Sequence, residues 1–305
     1  MKFMKYNLIT ILGPTAVGKT RLAALLANRF DGEIISADSR QVYKGMDIGT
    51  GKDIADYEVN GKIIPYHLID VVDPKNEFNL FEFYKLFFEV FHKISLKEKT
   101  PFLCGGTGLY IHSIIKDYKL SEVKFNQERF DELNQLDYQT LKEMLLKLQP
   151  KQHNTTDTIN KERVIRALMI AEQKEMKVVN YKCEIHSLNI GVFLERDFVK
   201  KRITERLKQR LGNGLVEEVQ RLNNEGVSLQ RLEQFGLEYK FVAKYLQNEI
   251  SYDEMFEKLN IAIHQFSKRQ MTWFRKMERE GIKIHWIDGA DFNTAEKIIL
   301  KNYFS

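Results

Sequence analysis

The chain has 305 residues, 43% hydrophobic and 29% charged, with a formal net charge of +5. That length supports one large or two modest domains with ordinary cores, and the charge permits a nucleic-acid partner without requiring one. Cys104 and Cys183 are the only cysteines, which excludes a disulfide framework and a four-thiolate metal site and suits a reducing compartment. The basic opening Met1–Lys5 has no signal-peptide cleavage pattern, and no apolar run is long enough to span a bilayer. The expectation is a cytoplasmic protein without a membrane partner.

Leu8 to Thr20 reads L-I-T-I-L-G-P-T-A-V-G-K-T, followed by Leu22-Ala23-Ala24-Leu25-Leu26 at helical spacing. A β-prone run, a glycine turn, Lys-Thr and a helix form the G-x-x-x-x-G-K-[ST] pattern in its structural context. Gly13 and Gly18 let the backbone curl around an anion, and the amides opening the helix point at phosphate oxygens. Lys19 supplies a movable positive charge, and the Thr20 hydroxyl is a magnesium ligand candidate. The pattern says that phosphate binds, and leaves open nucleotide hydrolysis, kinase chemistry or displacement of pyrophosphate from carbon.

Gly32–Asp38 is a second short apolar run. Open α/β sheets bind ligands outside the carboxyl ends of their strands, so Asp38, Ser39, Arg40 and Gln41 are candidates to face the cleft of Lys19. Tyr43–Asp53, with three glycines and little to bury, reads as an ordered functional loop. Tyr66–Pro74 reads as a third strand stopped by Pro74, Phe78–Ile94 as an aromatic helix, and Pro101–Cys104 as a strand entering the turn Gly105-Gly106-Thr107-Gly108. These repeats predict an α/β fold, a P-loop NTPase-like parallel sheet with flanking helices.

The texture changes after Asp117. Phe125–Leu148 and Lys161–Gln173 have helical periodicity, with a polar loop at Pro150–Asn160 between them. Residues 121–183 are therefore expected to be an inserted helical domain, and 1–120 with 184–305 the catalytic core. Ile185–Leu194 returns as a strand. A basic helix follows over Arg196–Arg210, broken by Gly212-Asn213-Gly214, then helices at Leu215–Leu222, Leu237–Leu246 and Tyr252–Glu280. Ile282–Ile287 is placed as an edge strand and Ala295–Leu300 as a closing helix.

A strand-end carboxylate such as Asp38 can hold magnesium, orient water or accept a proton, or it can cap a helix or pair with a nearby cation. Asp70 and Asp73 are further magnesium candidates. Thr107 offers a hydroxyl to a phosphate or leaving group, or its glycines simply permit a tight turn. The basic helices are a solvated face or an RNA grip, and Phe266, Trp273 and Phe274 among the cations of the last long helix favour the second. His67, His112 and His264 are too dispersed for a metal set.

Taken together, several blocks resemble the tRNA dimethylallyltransferase family: Gly13–Thr20, Asp38–Tyr43, Met46–Thr50, His67–Asp70, Gly105–Tyr110, Arg163–Leu168, Gly236–Lys240 and Lys268–Arg275. They come in that family's order and span nearly the whole chain. The resemblance implies transfer of a dimethylallyl group from dimethylallyl diphosphate to N6 of adenosine 37 in tRNAs that read U-starting codons. By position it implies that Asp38 accepts the amine proton, with Thr107 and Lys19 as the other catalytic groups. Gly13, Thr15, Ala16, Gly18, Lys19, Thr20 and Thr107 then surround the diphosphate, with Mg2+ near Thr20. Ser39, Arg40, Gln41, Arg163, Lys268, Arg269, Gln270 and Arg275 are implied to meet the adenine or the tRNA anticodon stem-loop. A monomer is expected.

The sequence departs from the family pattern at two places. Ile263-His264 stands where Thr-Arg is usual, removing an arginine near the diphosphate, so that either Lys268 or Arg269 covers the charge or the active site is retuned, and Gly51 stands where alanine is commoner. The competing readings are an adenylate isopentenyltransferase acting on a free nucleotide, a P-loop kinase or ATPase, and a non-catalytic RNA-binding protein.

Overall fold

The structure, a computed structural model, describes residues 5–118, 120, 126–148, 161–172 and 183–304. It divides into two compact units, Met1–Asp117 with Cys183–Ser305, and Tyr118–Lys182.

In the larger unit every residue of β1 (Leu8–Leu12) is buried, as a strand covered on both faces requires. Ile9 and Ile11 face the core containing Leu22, Ala23 and Leu26 of α1 (Lys19–Arg29). After β2 (Gly32–Ala37) the chain forms a 3-10 turn (Ile54–Tyr57), a hairpin of β3 (Glu58–Val59) and β4 (Lys62–Ile63), and the short β5 (Tyr66–His67). The third strand is thus shorter than expected from Tyr66–Pro74. Leu68 and Asp70 take left-handed φ of 61° and 55°, which no strand can continue through. The chain then turns so that Lys52, buried, bonds Tyr43 O, Asp47 Oδ1 and Asp70 Oδ1.

Asn79 and Glu82 form a reciprocal capping box that starts α2 (Leu80–Leu96). Its Phe83, Phe87 and Phe91 are buried, and Phe83 stacks on Tyr110 at 4.0 Å between centroids. Next come β6 (Thr100–Gly105) and α3 (Gly108–Ile115). Beyond the second unit the chain resumes with β7 (Ser187–Phe193). The sheet order is β5-β2-β6-β1-β7 and then β8 (Ile284–Asp288) at the edge, with all main-sheet pairings parallel.

The second unit holds α4 (Gln127–Asn134), α5 (Tyr138–Leu148) and α6 (Lys161–Glu172). Leu133, Leu141, Leu145, Val164, Ile165 and Leu168 make its own core. The expected helical stretch is two helices, and Phe125, Pro150–Asn160 and Gln173 lie outside the described residues.

The chain after β7 forms α7 (Arg196–Gly212), α8 (Leu215–Asn224), α9 (Leu229–Gln234), α10 (Leu237–Leu246), α11 (Tyr252–Arg279) and, after β8, α12 (Phe292–Asn302). Helices α8 to α10 pack a separate cluster onto Val42, Tyr43 and Met46. This cluster positions the glycine loop 43–53. The buried Glu218 carboxylate of α8 accepts from the amides of Asp47, Ile48 and Gly49 at 2.8, 2.7 and 3.0 Å, and from Tyr239 Oη at 2.7 Å. Among the described residues no helix is long and apolar enough to cross a membrane.

Glu218→Gln sets an amide NH2 against backbone donors that now meet a carboxylate. Bonds to charged groups contribute about 1.5–3 kcal/mol each, so the variant is expected to lose about 2–4 kcal/mol. Urea unfolding reads this as a lower midpoint at unchanged slope.

Candidate active site

Strands β1, β2 and β6 end at one side of the sheet, and their following turns line one cleft. The phosphate loop contributes Thr15, Ala16, Gly18, Lys19 and Thr20, the end of β2 Ser36, Asp38, Arg40 and Gln41, and β6 Cys104, Gly105 and Gly106. At Gly13 a Cβ would lie 2.3 Å from Val192 O, so only glycine lets the loop run this close to β7. Neither α1 nor α3 has a side-chain N-cap bond, whereas α2, α11 and α12 are capped by Asn79, Ser251 and Asp291. The first amides of α1 therefore keep their hydrogen-bonding capacity for an anion.

Lys19 Nζ donates to Pro14 O. Burial pulls its pKa down from 10.5 to about 8, with Arg206 pushing the same way and Cys104 and Asp38 opposing. Burial likewise raises the Cys104 thiol to about 12, so it is protonated at neutral pH. Asp38 is half-buried, and its Oδ1 accepts from the amides of Arg40 and Gln41 at 2.9 and 3.4 Å. It therefore both caps its own turn and lines the cleft, while Oδ2 has no protein hydrogen bond among the described residues. Arg40 bonds Glu238 Oε2 at 3.0 Å and lies 5.0 Å over the Phe266 ring. Gln41 donates to Gly51 O at 3.0 Å, tying the base of the cleft to the glycine loop.

Several expected site residues stand elsewhere. Thr107 follows the cleft residues Gly105 and Gly106, and its hydroxyl accepts from Ser39 N at 3.1 Å, tying the turn after β6 to the turn after β2. Gln270 is buried and both ends of its amide are occupied: Oε1 accepts from Thr15 N and Nε2 donates to Gly106 O, each at 2.9 Å. It joins two turns and also lines the cleft. Lys268 and Arg275 line a different, more apolar groove with Arg196, Lys200, Met271 and Trp286, and exposed Arg269 lines neither. Arg163 is exposed on α6 in the second unit. Asp70 is engaged by Lys52, and Asp73 Oδ1 accepts from Lys75 N at 2.8 Å, so neither serves the cleft. Ile263 lines the cleft, but His264 faces the other groove, 3.5 Å from Thr204 Oγ1.

Sequence reasoning missed Arg206, Arg210 and Glu238, which complete the lining with Asp53, Asp56 and Tyr57. Arg206 and Arg210 fell within a basic helix that suggested a solvent or RNA face. The available signal is their place beside the apolar stripe Val199, Ile203, Leu207 of α7, which packs on the core.

The fold and site define a phosphate-loop α/β protein whose strand-end carboxylate shares a cleft with the anion cradle. The IPP transferase family pattern matches residues 41–277. The chain is 48% identical over 295 residues to tRNA dimethylallyltransferase 1 of Geotalea daltonii, covering 97% of this chain and 95% of that protein. It is 51% identical over 288 residues to tRNA dimethylallyltransferase 2 of Phocaeicola vulgatus, covering 94% of each. Among solved structures, the full-length tRNA isopentenylpyrophosphate transferase of Bacillus halodurans superposes with a TM-score of 0.69 at 33% identity, over 98% of this chain and 95% of that one. The chain belongs to the tRNA dimethylallyltransferase family.

Lys19, half-buried and with its pKa pulled down to about 8, is charged at neutral pH and loses its proton as pH rises through 8. Calorimetry with inorganic pyrophosphate at pH 7 to 9.5 should show the affinity advantage of the protein over its Lys19→Met variant shrinking across that window. An advantage that holds constant to pH 9.5 would contradict the assigned proton.

Proposed function

We propose that this protein transfers the dimethylallyl group of dimethylallyl diphosphate to N6 of an adenosine in tRNA and releases diphosphate. The target is adenosine 37 of tRNAs reading U-starting codons. Family membership supports the reaction class. The single structural observation that supports the chemistry is the opening of Asp38 and Lys19 onto one cleft.

An adenine amine is a weak nucleophile because its lone pair is delocalised into the ring. Alignment in the cleft is therefore the first requirement. As the N6–C1 bond forms, the C1–O bond breaks and its electron pair leaves on the diphosphate. The N6 proton passes to Asp38, which needs to accept it only during bond formation. Lys19 and the amides of the phosphate loop stabilise the charge that develops on the departing oxygen. The adenine must leave its stack to enter, which costs less in an anticodon loop than in a duplex. Phe266, with Arg40 over its ring, offers a flat face at the cleft wall.

The cleft's donors suit a hard cation, because Thr20 and the nearby acids present oxygen and Cys104 is held as a thiol. Among the described residues no group of three His, Cys, Asp or Glu side chains is placed to hold a metal. Thr20 would be the protein's ligand to a magnesium ion. When bound it supplies charge neutralisation for the leaving group. The second groove, with Arg196, Lys200, Lys268 and Arg275 around apolar side chains, suits tRNA phosphates. The inserted helical unit is the other proposed tRNA contact, through Arg163.

Purified protein given labelled dimethylallyl diphosphate with either unmodified tRNA or AMP tests the reading. Label is expected in tRNA and mapped to N6 of adenosine 37; label only in AMP, or phosphate release without carbon transfer, overturns it. Asp38→Ala is expected to slow single-turnover transfer by about 100-fold or more while tRNA still binds, the scale of a lost general base. Lys268→Ala is expected to weaken tRNA binding and lower the slope of log affinity against log salt by about one.

A further inference from the structure

Four carboxylates line the cleft, Asp38, Asp53, Asp56 and Glu238. Glu238 stands in the first turn of α10, where the helix dipole favours an acid. The two residues before it, Gly236 and Leu237, have left-handed φ of 72° and 42°. Such a backbone is costly at a leucine, and the chain that adopts it carries the Glu238 carboxylate to the cleft wall. There the side chain is 5% exposed and holds two guanidinium groups, one on each oxygen. Oε2 accepts from Arg40 Nη1 at 3.0 Å and Oε1 from Arg210 Nη1 at 3.1 Å.

Arg40 has another carboxylate close at hand. Its own amide donates to Asp38 Oδ1 at 2.9 Å, so its side chain starts from the turn that carries the proton acceptor. The guanidinium nevertheless turns to Glu238, with Cζ 5.0 Å from the centre of the Phe266 ring. Asp38 makes no ion pair among the described residues, where its bonds are those from the amides of Arg40 and Gln41.

The other cleft cations are tethered apart from Asp38. Lys19 donates to Pro14 O and Arg206 to Thr15 Oγ1. Arg210 lies against Gly51, where a Cβ would collide with its Nη2. Arg40 is thus the cation placed to close on Asp38 once Glu238 releases it. A guanidinium paired with a carboxylate stabilises the ionised form and makes it a weaker proton acceptor.

We propose that Glu238 is a positioning residue for the transfer step: it holds Arg40 against Phe266, keeps that guanidinium off Asp38, and so leaves the carboxylate available for the N6 proton. The assignment rests on the prenyl-transfer reading above.

The test uses the full chain with Glu238→Leu, Arg40→Met, Asp38→Ala and the double variants that pair Glu238→Leu with each of the others. Melting temperature and tRNA affinity serve as fold controls. At saturating substrates Glu238→Leu is expected to slow single-turnover transfer by about 10-fold or more, with tRNA affinity within about twofold of wild type. Adding Arg40→Met is expected to restore the rate to within about threefold of Arg40→Met alone, because the competing cation is gone. Asp38→Ala is expected to cost at least about 10-fold less in the Glu238→Leu background than in wild type, the non-additivity of two changes that act on one group. Glu238→Gln keeps the shape and one acceptor, and should give the same pattern at smaller amplitude.

An unchanged rate in Glu238→Leu, or a loss that Arg40→Met leaves in place or deepens, marks a merely structural carboxylate and overturns the proposal. A crystal structure of the Glu238→Leu chain, or of Glu238→Gln should the first not fold, reads the geometry without activity. It is expected to show the Arg40 guanidinium within hydrogen-bond distance of Asp38, and a guanidinium still over Phe266 overturns the proposal. If Arg40 moves to Asp38 in the variant yet wild-type protein transfers no prenyl group to tRNA, the substrate reading fails and the sequestration of Arg40 stands.

Discussion

The side-chain amide of Gln270 accepts from the backbone of Thr15 and donates to the carbonyl of Gly106, spanning the two glycine-rich turns that form the cleft. The turns follow β1 and β6, which pair in parallel register from Ile9–Phe102 to Leu12–Gly105. The sheet sets how far apart the turns begin, and the amide sets how they face each other. Because the group is buried, each lost bond would leave an unpaired polar atom inside the protein, so the connection resists slippage. The long helix α11 is thereby coupled to the phosphate loop through a neutral contact that leaves the loop's charge untouched.

Charge in the cleft is divided with some economy. Lys19, Arg40, Arg206 and Arg210 face Asp38, Asp53, Asp56 and Glu238, four of each sign. Glu238 takes Arg40 and Arg210 together, at 3.0 and 3.1 Å. That leaves Lys19 and Arg206, both at the phosphate loop, without a carboxylate partner among the described residues. Both have pKa values lowered first by burial. At the other wall Asp38 spends one oxygen on its own turn, which fixes the carboxylate's orientation and leaves the second oxygen for a substrate. A ligand negative at one end and proton-donating at the other would meet the phosphate-loop cations and the Asp38 carboxylate in one cleft.

The phosphate loop, the alternation of strand and helix, and the placement of Asp38, Arg40 and Gln41 were legible because each follows from local spacing. The edge strand was legible too, from the apolar run before Asp288. What local pattern could not supply was the partner of each polar group. Gln270 sits in a basic, aromatic helix, and its two bonds to the glycine-rich turns leave no mark in that pattern. Thr107 has a suitable hydroxyl at a suitable strand end, and its bond from the Ser39 amide was not visible in local pattern. Arg206 and Arg210 border the apolar stripe of α7 by one helical step, and only the packing of that stripe on the core decides which edge turns inward. Tyr66–Pro74 was misjudged because Leu68 and Asp70 adopt left-handed φ, which an apolar run does not announce.

The glycine loop that rims the cleft owes its shape to Glu218 and Tyr239, roughly 170 positions further along the chain. On the ribosome, the anion cradle is therefore synthesised long before the wall opposite it. A nascent polypeptide ending ahead of α8 carries the whole phosphate-loop motif but lacks the carboxylate that gathers those three amides. The complete reaction chamber thus comes into being only near the end of translation, so unfinished chains do not acquire it early.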